Sequence, residues 1–339
     1  MLELLRARDK EMVELSSGAG SVLLEPRLAG RIFCQWKGEL IHRLDGEALQ
    51  YPVVGEYNNL GGNSLWPAPE GGPFAFNYGP ESDVWVVQDG IASDVPVIGR
   101  TGEYSARLAK NIQLFNRKGI TLSLEYVREV QVLSPPASAS QWGLEGMAYA
   151  SLDSFEPLGD YNTSDVLIAP WSLEQFPGAE GIVSFGKLAD STRELNTDFY
   201  TDPGSRIARG EGQFTFVLGG QVRHQIGIPV ASRPSMIGAL DAERELLIIR
   251  RTPSQDGLYF NIADNDQKAG PFSAADSYSI FNGGELGFFE LETIGAMQSE
   301  GGRVARSGLH SETIMLHGPV VDLIQYLEVE EGIVLECLG

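Results

Sequence analysis

"LGGNSLWPAPEGG", residues 60–72, sets four glycines and two prolines around Asn63, Trp66 and Glu70. Gly61-Gly62 and Gly71-Gly72 admit backbone angles with positive φ, and Pro67 and Pro69 stiffen what lies between them, so the segment reads as a shaped loop. Trp66 offers a broad apolar face with one N–H donor, and Glu70 a carboxylate. Asn63 offers an amide that hydrogen-bonds a hydroxyl but delivers no proton at neutral pH. A ring face beside fixed polar groups suits a hydroxyl-rich, partly apolar ligand such as a sugar. The same composition also fits a core plug, because a Trp between prolines often fills space beneath a long loop.

Outward from this loop, runs such as "GSVLLEP" (20–26), "SDVWVVQ" (82–88), "ITLSLEYV" (120–127), "FTFVLGG" (214–220) and "LLIIRRT" (246–252) are β-branched or aromatic and bounded by Gly, Pro, Asp or Ser. Their number and modest length predict an all-β chain of antiparallel strands in a sandwich. Helical spacing occurs at the two ends. Residues 1–13 place Leu2, Leu5 and Met12 near one face, and residues 319–330 carry Val321, Leu323, Ile324 and Leu327. Both read as appendages packed on a sheet. "LSPPASASQWG", residues 133–143, is the most linker-like stretch, but strands of the same character flank it. Residues 1–339 are therefore taken as a single domain, built of two halves joined there.

With 339 residues and 42% hydrophobic content, the chain can bury a large core. Its net charge of −21, from 46 acidic against 25 basic side chains, argues against nucleic acid and membrane surfaces as partners. The N-terminal residues alternate apolar and charged types without the apolar run of a secretory signal, and no stretch approaches the roughly 18 apolar residues of a membrane span. Cys34 and Cys337 lie far apart without metal-ligand spacing, which predicts neither a disulfide framework nor a zinc site and makes a cytoplasmic location the default. Phosphate-loop, dinucleotide, nucleophile-elbow and zincin motifs are all missing, so no cofactor is predicted. The acidic "ADND" at 263–266 lacks the ligand spacing and glycine of a calcium loop, so no metal is assigned.

The longer stretch "NNLGGNSLWPAPEGGPFAF" (58–76) resembles the signature of an uncharacterised bacterial family related to the galactose mutarotases, or aldose 1-epimerases. "VLLEPRLAGRIFCQ", "LIAPWSLEQF", "VRHQIGIPV", "GALDAERELLIIR" and "FFELETIGAMQSEGGRVARSGLHSETIMLHG" resemble further segments of the same family in the same order. The resemblance spans residues 1–320. It implies a galactose mutarotase-like β-supersandwich, a large twisted antiparallel fold with a groove for a small or oligomeric carbohydrate, in a monomer or homodimer.

The resemblance also implies roles. Glu292, in "ELET", matches the glutamate that acts as general base in mutarotases. Mutarotation needs a base at the anomeric hydroxyl and an acid at the ring oxygen, and an ordinary glutamate with a pKa of about 4.3 is ionised at neutral pH. On alternation alone, Glu290 and Glu292 would simply share the solvated face of a strand. The acid departs from the family pattern, which has two histidines, one of them just after the Gly-Gly loop. Here Asn63 follows that loop, and the four histidines are His42, His224, His310 and His317. His224, beside Arg223, is the substitute acid; His42 reads as a surface residue and the other two as structural.

Arg31, in "AGRIF", matches an arginine that recurs in the superfamily and can fork two hydrogen bonds to vicinal hydroxyls, although a structural ion pair fits it equally. Trp171 reads as a second stacking wall or as core, and Asn261, in "LYFNIADND", as a groove residue. The candidate catalytic residues are thus Glu292 and His224, and the candidate sugar-binding residues are Arg31, Asn63, Trp66, Glu70, Trp171, Arg223 and Asn261. The favoured reading is a carbohydrate-binding protein with epimerase-like activity. A non-catalytic sugar sensor stands beside it, as does a glycosidase or lyase whose Glu70 and Glu292 would lie roughly 5–10 Å apart across a sugar.

Overall fold

Residues 1–260 and 275–335 are described by the computed structural model. Among them, nine strands form one antiparallel sheet in the order Val13–Ser17, Gly20–Glu25, Arg31–Trp36, Gly62–Ala68, Ala169–Pro177, Phe288–Ile294, Asp276–Asn282 and His224–Pro229, with Glu39–Leu40 beside the third. Eleven more form a second sheet, whose centre runs Pro234–Asp241, Leu246–Arg251, Arg303–His317, Glu145–Pro157, Thr121–Leu133 and Ser105–Phe115. This is the antiparallel two-sheet architecture that the strand-like runs predict. Leu24, Ile226, Ile280 and Leu291 of the first sheet meet Val130, Tyr149, Ile248 and Met315 of the second in a shared apolar core.

Polar side chains cross this core as well. Glu174 pairs with Arg250 at 2.7 Å, accepts from Tyr149 and Thr313, and sits 2.8 Å from His42 Nε2. Arg128 pairs with Asp153 at 2.7 Å and donates to Asn63 Oδ1, also at 2.7 Å. Burial raises the Glu174 pKa, but Arg250, His42 and Tyr149 outweigh it and hold the carboxyl down at about 2. The two buried guanidiniums thus tie the sheets together through charge-assisted hydrogen bonds and ion pairs. His42 therefore belongs to the core, where its Nδ1 accepts from the Cys34 amide, and not to a surface strand.

Several local expectations change. The 82–88 run forms no strand: it has one bridge, Tyr78 to Trp85, and Val84, Trp85 and Val86 are exposed. β-branched composition reports fitness for a half-buried pleated surface, and this run is not given one. The 133–143 stretch is a hairpin connection, since Ala137–Trp142 is a short 3-10 turn between two strands that pair with each other in the second sheet. It joins neighbours, not halves.

The first helix is only Leu2–Arg8, with Glu3 in its first turn and Arg6 and Arg8 in its last, the charge order that complements the helix dipole. Leu2 and Leu5 pack on Leu23, Phe33 and Leu49. At the other end Val320–Tyr326 continues as a wider turn through Leu327–Glu331 and buries Leu323, Tyr326 and Leu327 against the second sheet. Among the described residues no helix is long and apolar enough to cross a membrane.

Candidate functional site

Strand register assembles the site. Across the first sheet, Gln225, Phe281, Glu290, Gln175 and Gly62 lie in one row, and Gly227, Ser279, Glu292, Leu173 and Ser64 in the next. Trp171 and Trp66 oppose each other one row further on. Because side chains alternate along each strand, these rows project from one face, while Glu174, Ser172 and Asn63 project from the other toward the second sheet.

Gly61 and Gly62 make the sharp entry into this region. Both have positive φ, +88° and +71°, and a Cβ would fall 2.1 Å from the Arg43 carbonyl oxygen at Gly61 and 2.8 Å from that of Ile32 at Gly62. The glycines that opened the sequence reading are required by close backbone approach.

Glu290 and Glu292 form the centre. Gln175 Nε2 donates to Glu290 Oε1 at 2.7 Å, Trp171 Nε1 donates to Glu292 Oε2 at 2.8 Å, and Gln225 Nε2 approaches both Glu292 oxygens at 3.4 Å. Glu290 and Glu292 project from the same face two residues apart, so their carboxyl groups act directly on each other, and Ser279, the register partner of Glu292, accepts from Gln225 Nε2 at 2.9 Å. Glu290 is 7% exposed and Glu292 0%, so the solvated-face alternative is overturned.

Burial pushes the Glu290 carboxyl up to about 7, against the opposing pull of Gln175, Arg43 and Arg31. Burial, and then the charge of Glu290, push Glu292 well above the usual carboxylate range. An ordinary ionised glutamate was expected at position 292. Instead both carboxyls are pushed upward, by burial and, at Glu292, by the charge of Glu290, because like charges this close in a dry site do not both ionise readily.

An aromatic wall adjoins the pair. Trp66 stacks on Trp85 at 6.0 Å between ring centres and meets Trp171 edge-on at 6.1 Å and Tyr57 at 5.4 Å. Trp85 is the outermost of the three indoles at 38% exposed, while Trp66 and Trp171 are buried. Tyr57 and Trp85 also line an outer groove of about 1060 Å³. Arg31 donates to the Tyr57 hydroxyl and to the Gly61 carbonyl, both at 2.6 Å. Arg43 donates to Gln175 Oε1 at 3.1 Å and to Asn59 O at 2.9 Å.

Of the residues singled out in the sequence, Glu292, Trp171, Trp66 and Arg31 are thus brought to one region. The rest are placed elsewhere. His224 hydrogen-bonds the Thr201 carbonyl at 2.9 Å and lies on the opposite side of its strand from Gln225, so it does not face the acid pair. Asn63 is fully buried between the sheets, bonded to Arg128, Tyr149 and Ser172. Glu70 accepts from Trp85 Nε1 at 2.7 Å and is linked to Glu292 through three indoles. Arg223 lies over Tyr200, 5.1 Å from the ring centre, on the rim beside Phe281. Asn261 lies outside the described residues.

Sequence reading missed Gln175, Gln225, Tyr57, Trp85 and Arg43 as members of the site. Gln175 had a usable signal, since it sits two residues before Pro177 on the strand that carries Trp171, at a spacing that keeps both on one face. Tyr57 and Trp85 come from loops whose path no local pattern gives. Among the described residues no group of three or more His, Cys, Asp or Glu is arranged to hold a metal.

Comparison with known proteins agrees with the geometry at the level of fold. The structure is similar to that of an Escherichia coli K12 protein to which aldose 1-epimerase identity is ascribed, with TM-score 0.51, 13% identity, and coverage of 90% of this chain and 98% of that one. It is similar to a galactose mutarotase-like protein from Lactobacillus casei, with TM-score 0.51, 9% identity, and coverage of 90% and 100%. No curated protein matches the sequence. At the level of sequence, residues 1–307 match the family of unknown function DUF6786, and the chain belongs to that family, with a galactose mutarotase-like fold.

Proposed function

We propose that the protein binds an aldose on the face of the first sheet that carries Glu290 and Glu292, and interconverts its anomers by proton transfer at Glu292. The observation that carries this reading is the contact of a buried carboxyl pair with Trp171, next to an indole wall, on the sheet where the resemblance seats the mutarotase glutamate. An indole face complements the apolar C–H face of a sugar, and Gln175, Gln225 and Arg31 supply amide and guanidinium donors for hydroxyls. Glu292 is fully buried, so sugar entry requires side chains over the pair to move.

The test is a titration of intrinsic tryptophan fluorescence with a panel of hexoses and hexuronates. A saturable change with at least one sugar supports the reading, and a flat response across the panel removes it.

A second reading, sugar binding without catalysis, is favoured by one observation: His224 does not face the acid pair, which leaves no histidine as proton donor there. Hydrolysis by Glu70 and Glu292 is disfavoured, because the chain of contacts from one carboxyl to the other runs through Trp85, Trp66 and Trp171, which stand where a sugar between two catalytic carboxylates would lie.

A further inference from the structure

We infer that Glu290 is the catalytic partner of Glu292, and that the two carboxyl groups together, holding one proton, supply both the acid and the base that anomer exchange needs. This rests on the proposed aldose site and deepens it. Three observations carry it. The carboxyls stand on the same face of one strand two residues apart and act directly on each other. Each is held by its own fixed donors, Gln175 for Glu290 and Trp171 with Gln225 for Glu292, so the pair is oriented from both sides. And the site lacks a histidine facing it, the group that would otherwise give the second proton.

The chemistry balances within the pair. In ring opening, the carboxylate of one glutamate takes the proton of the anomeric hydroxyl. The C1–O1 bond becomes a carbonyl, the bond from C1 to the ring oxygen breaks with its electron pair passing to oxygen, and the carboxylic acid of the other glutamate protonates that oxygen. The proton has moved from one glutamate to the other, and the sugar is an open aldehyde. Rotation about C1–C2 presents the other carbonyl face, and closure reverses each transfer and restores the pair. The ring oxygen and the anomeric hydroxyl are attached to the same carbon, so two neighbouring carboxyls on one face are spaced to address both. Whichever carboxyl gives its proton in opening takes one back in closure, so Glu292 acts as the base, the role that the resemblance implies, in one of the two directions.

Among the described residues, the charged and titratable groups near the pair are Arg43, Arg31 and, beside Gly227 on the neighbouring strand, the buried Asp276, whose carboxyl burial pushes up to about 7. Arg43 and Arg31 act on Glu290 and favour its ionised form. The register partners on the flanking strands are Gln175 and Leu173, Phe281 and Ser279, then Gln225 and Gly227, none of which titrates. Tyr57 meets the site through its bond to Arg31, and Glu174 lies on the opposite face.

The experiment has two arms on the full chain. In the first, without sugar, ¹³C NMR of labelled glutamate carboxyls follows the signals that disappear in Glu290→Gln and Glu292→Gln. The expected result is two coupled steps, the first near 7 and the second higher; two independent titrations in the ordinary carboxylate range overturn the inference. In the second, the anomer-exchange rate of a bound sugar is followed against pH. It should rise through about 7 as the pair loses its first proton and fall again as it loses the second.

Glu290→Gln should lower the rate about a hundredfold and remove the rising limb while sugar-induced fluorescence change persists, and Glu290→Asp should restore part of the rate. A Glu290→Gln protein with wild-type rate and profile overturns the inference while leaving the proposed function standing. If no sugar binds or exchanges, the proposed function fails, and the carboxyl titration still decides whether the pair shares its proton.

Discussion

The indole N–H of Trp171 donates to Glu292 Oε2 at 2.8 Å, diagonally across two paired strands of the first sheet. This bond stabilises the charged form of Glu292 against burial and the neighbouring Glu290. Trp171→Phe keeps the ring and removes the donor. Anomer exchange should fall about tenfold, the scale of a lost hydrogen bond to a charged group, and the high-pH limb of the rate profile should move upward. Saturation-transfer NMR across pH measures both, and an unchanged profile would show that the indole only fills space.

Trp85 is the accessible end of the indole wall, with its N–H held by Glu70. Trp85→Ala removes a ring that is partly exposed, so thermal stability should change little. If sugars enter past this ring, affinity should weaken severalfold, the scale of one aromatic contact. Calorimetric titration checks it, and equal affinity would direct entry elsewhere.

The ion pair of Arg250 with Glu174 is fully buried and bridges the two sheets. Arg250→Met leaves Glu174 without its cationic partner between apolar strands, and should cost about 3–5 kcal/mol in denaturant unfolding. A loss below about 1 kcal/mol would mean that His42, Tyr149 and Thr313 suffice to hold the carboxylate.

Glu25 is fully buried, and neither of its carboxyl oxygens receives a hydrogen bond from an N–H or hydroxyl group. Burial, reinforced by the neighbouring Asp9, raises its pKa from 4.5 to about 9. A carboxyl raised on folding contributes its full stability below the unfolded value and loses it as pH climbs toward the folded one. Glu25→Gln should therefore match the parent in Tm below about pH 4 and exceed it increasingly up to about pH 9, by about 4 °C or more at pH 8. A gain of equal size at every pH would contradict the assignment.

How far the sequence carried the reading depends on the kind of information each residue needs. The fold was legible because β-branched runs between turn residues recur along the chain, and because segments such as "LIAPWSLEQF" and "FFELETI" occur in the order of a known superfamily. Which face of a strand looks toward the second sheet was not legible, since Phe288–Ile294 alternates Glu290 and Glu292 with Leu291 as a half-exposed strand does, yet is buried on both sides. That is why Glu290 and Glu292 resembled a solvated pair. It is also why His224 was chosen when the residue that faces the acids is Gln225, one position along.

Asn63 failed for the same reason, because one step along its strand decides between the sugar face and the Arg128 network. Trp66 and Trp171 were recognisable because a large ring near the acid is useful on either reading of their burial. Trp85 was hidden in a run that imitates a strand.

The central claim is that Glu292 exchanges a proton with an aldose bound on this face. It is tested most directly by saturation-transfer NMR of anomer exchange, comparing the wild-type protein with Glu292→Gln on a sugar that changes tryptophan fluorescence. The account predicts enzyme-dependent exchange in the wild type and a loss of about a hundredfold or more in the variant at equal sugar occupancy. Equal rates in the two proteins would contradict it.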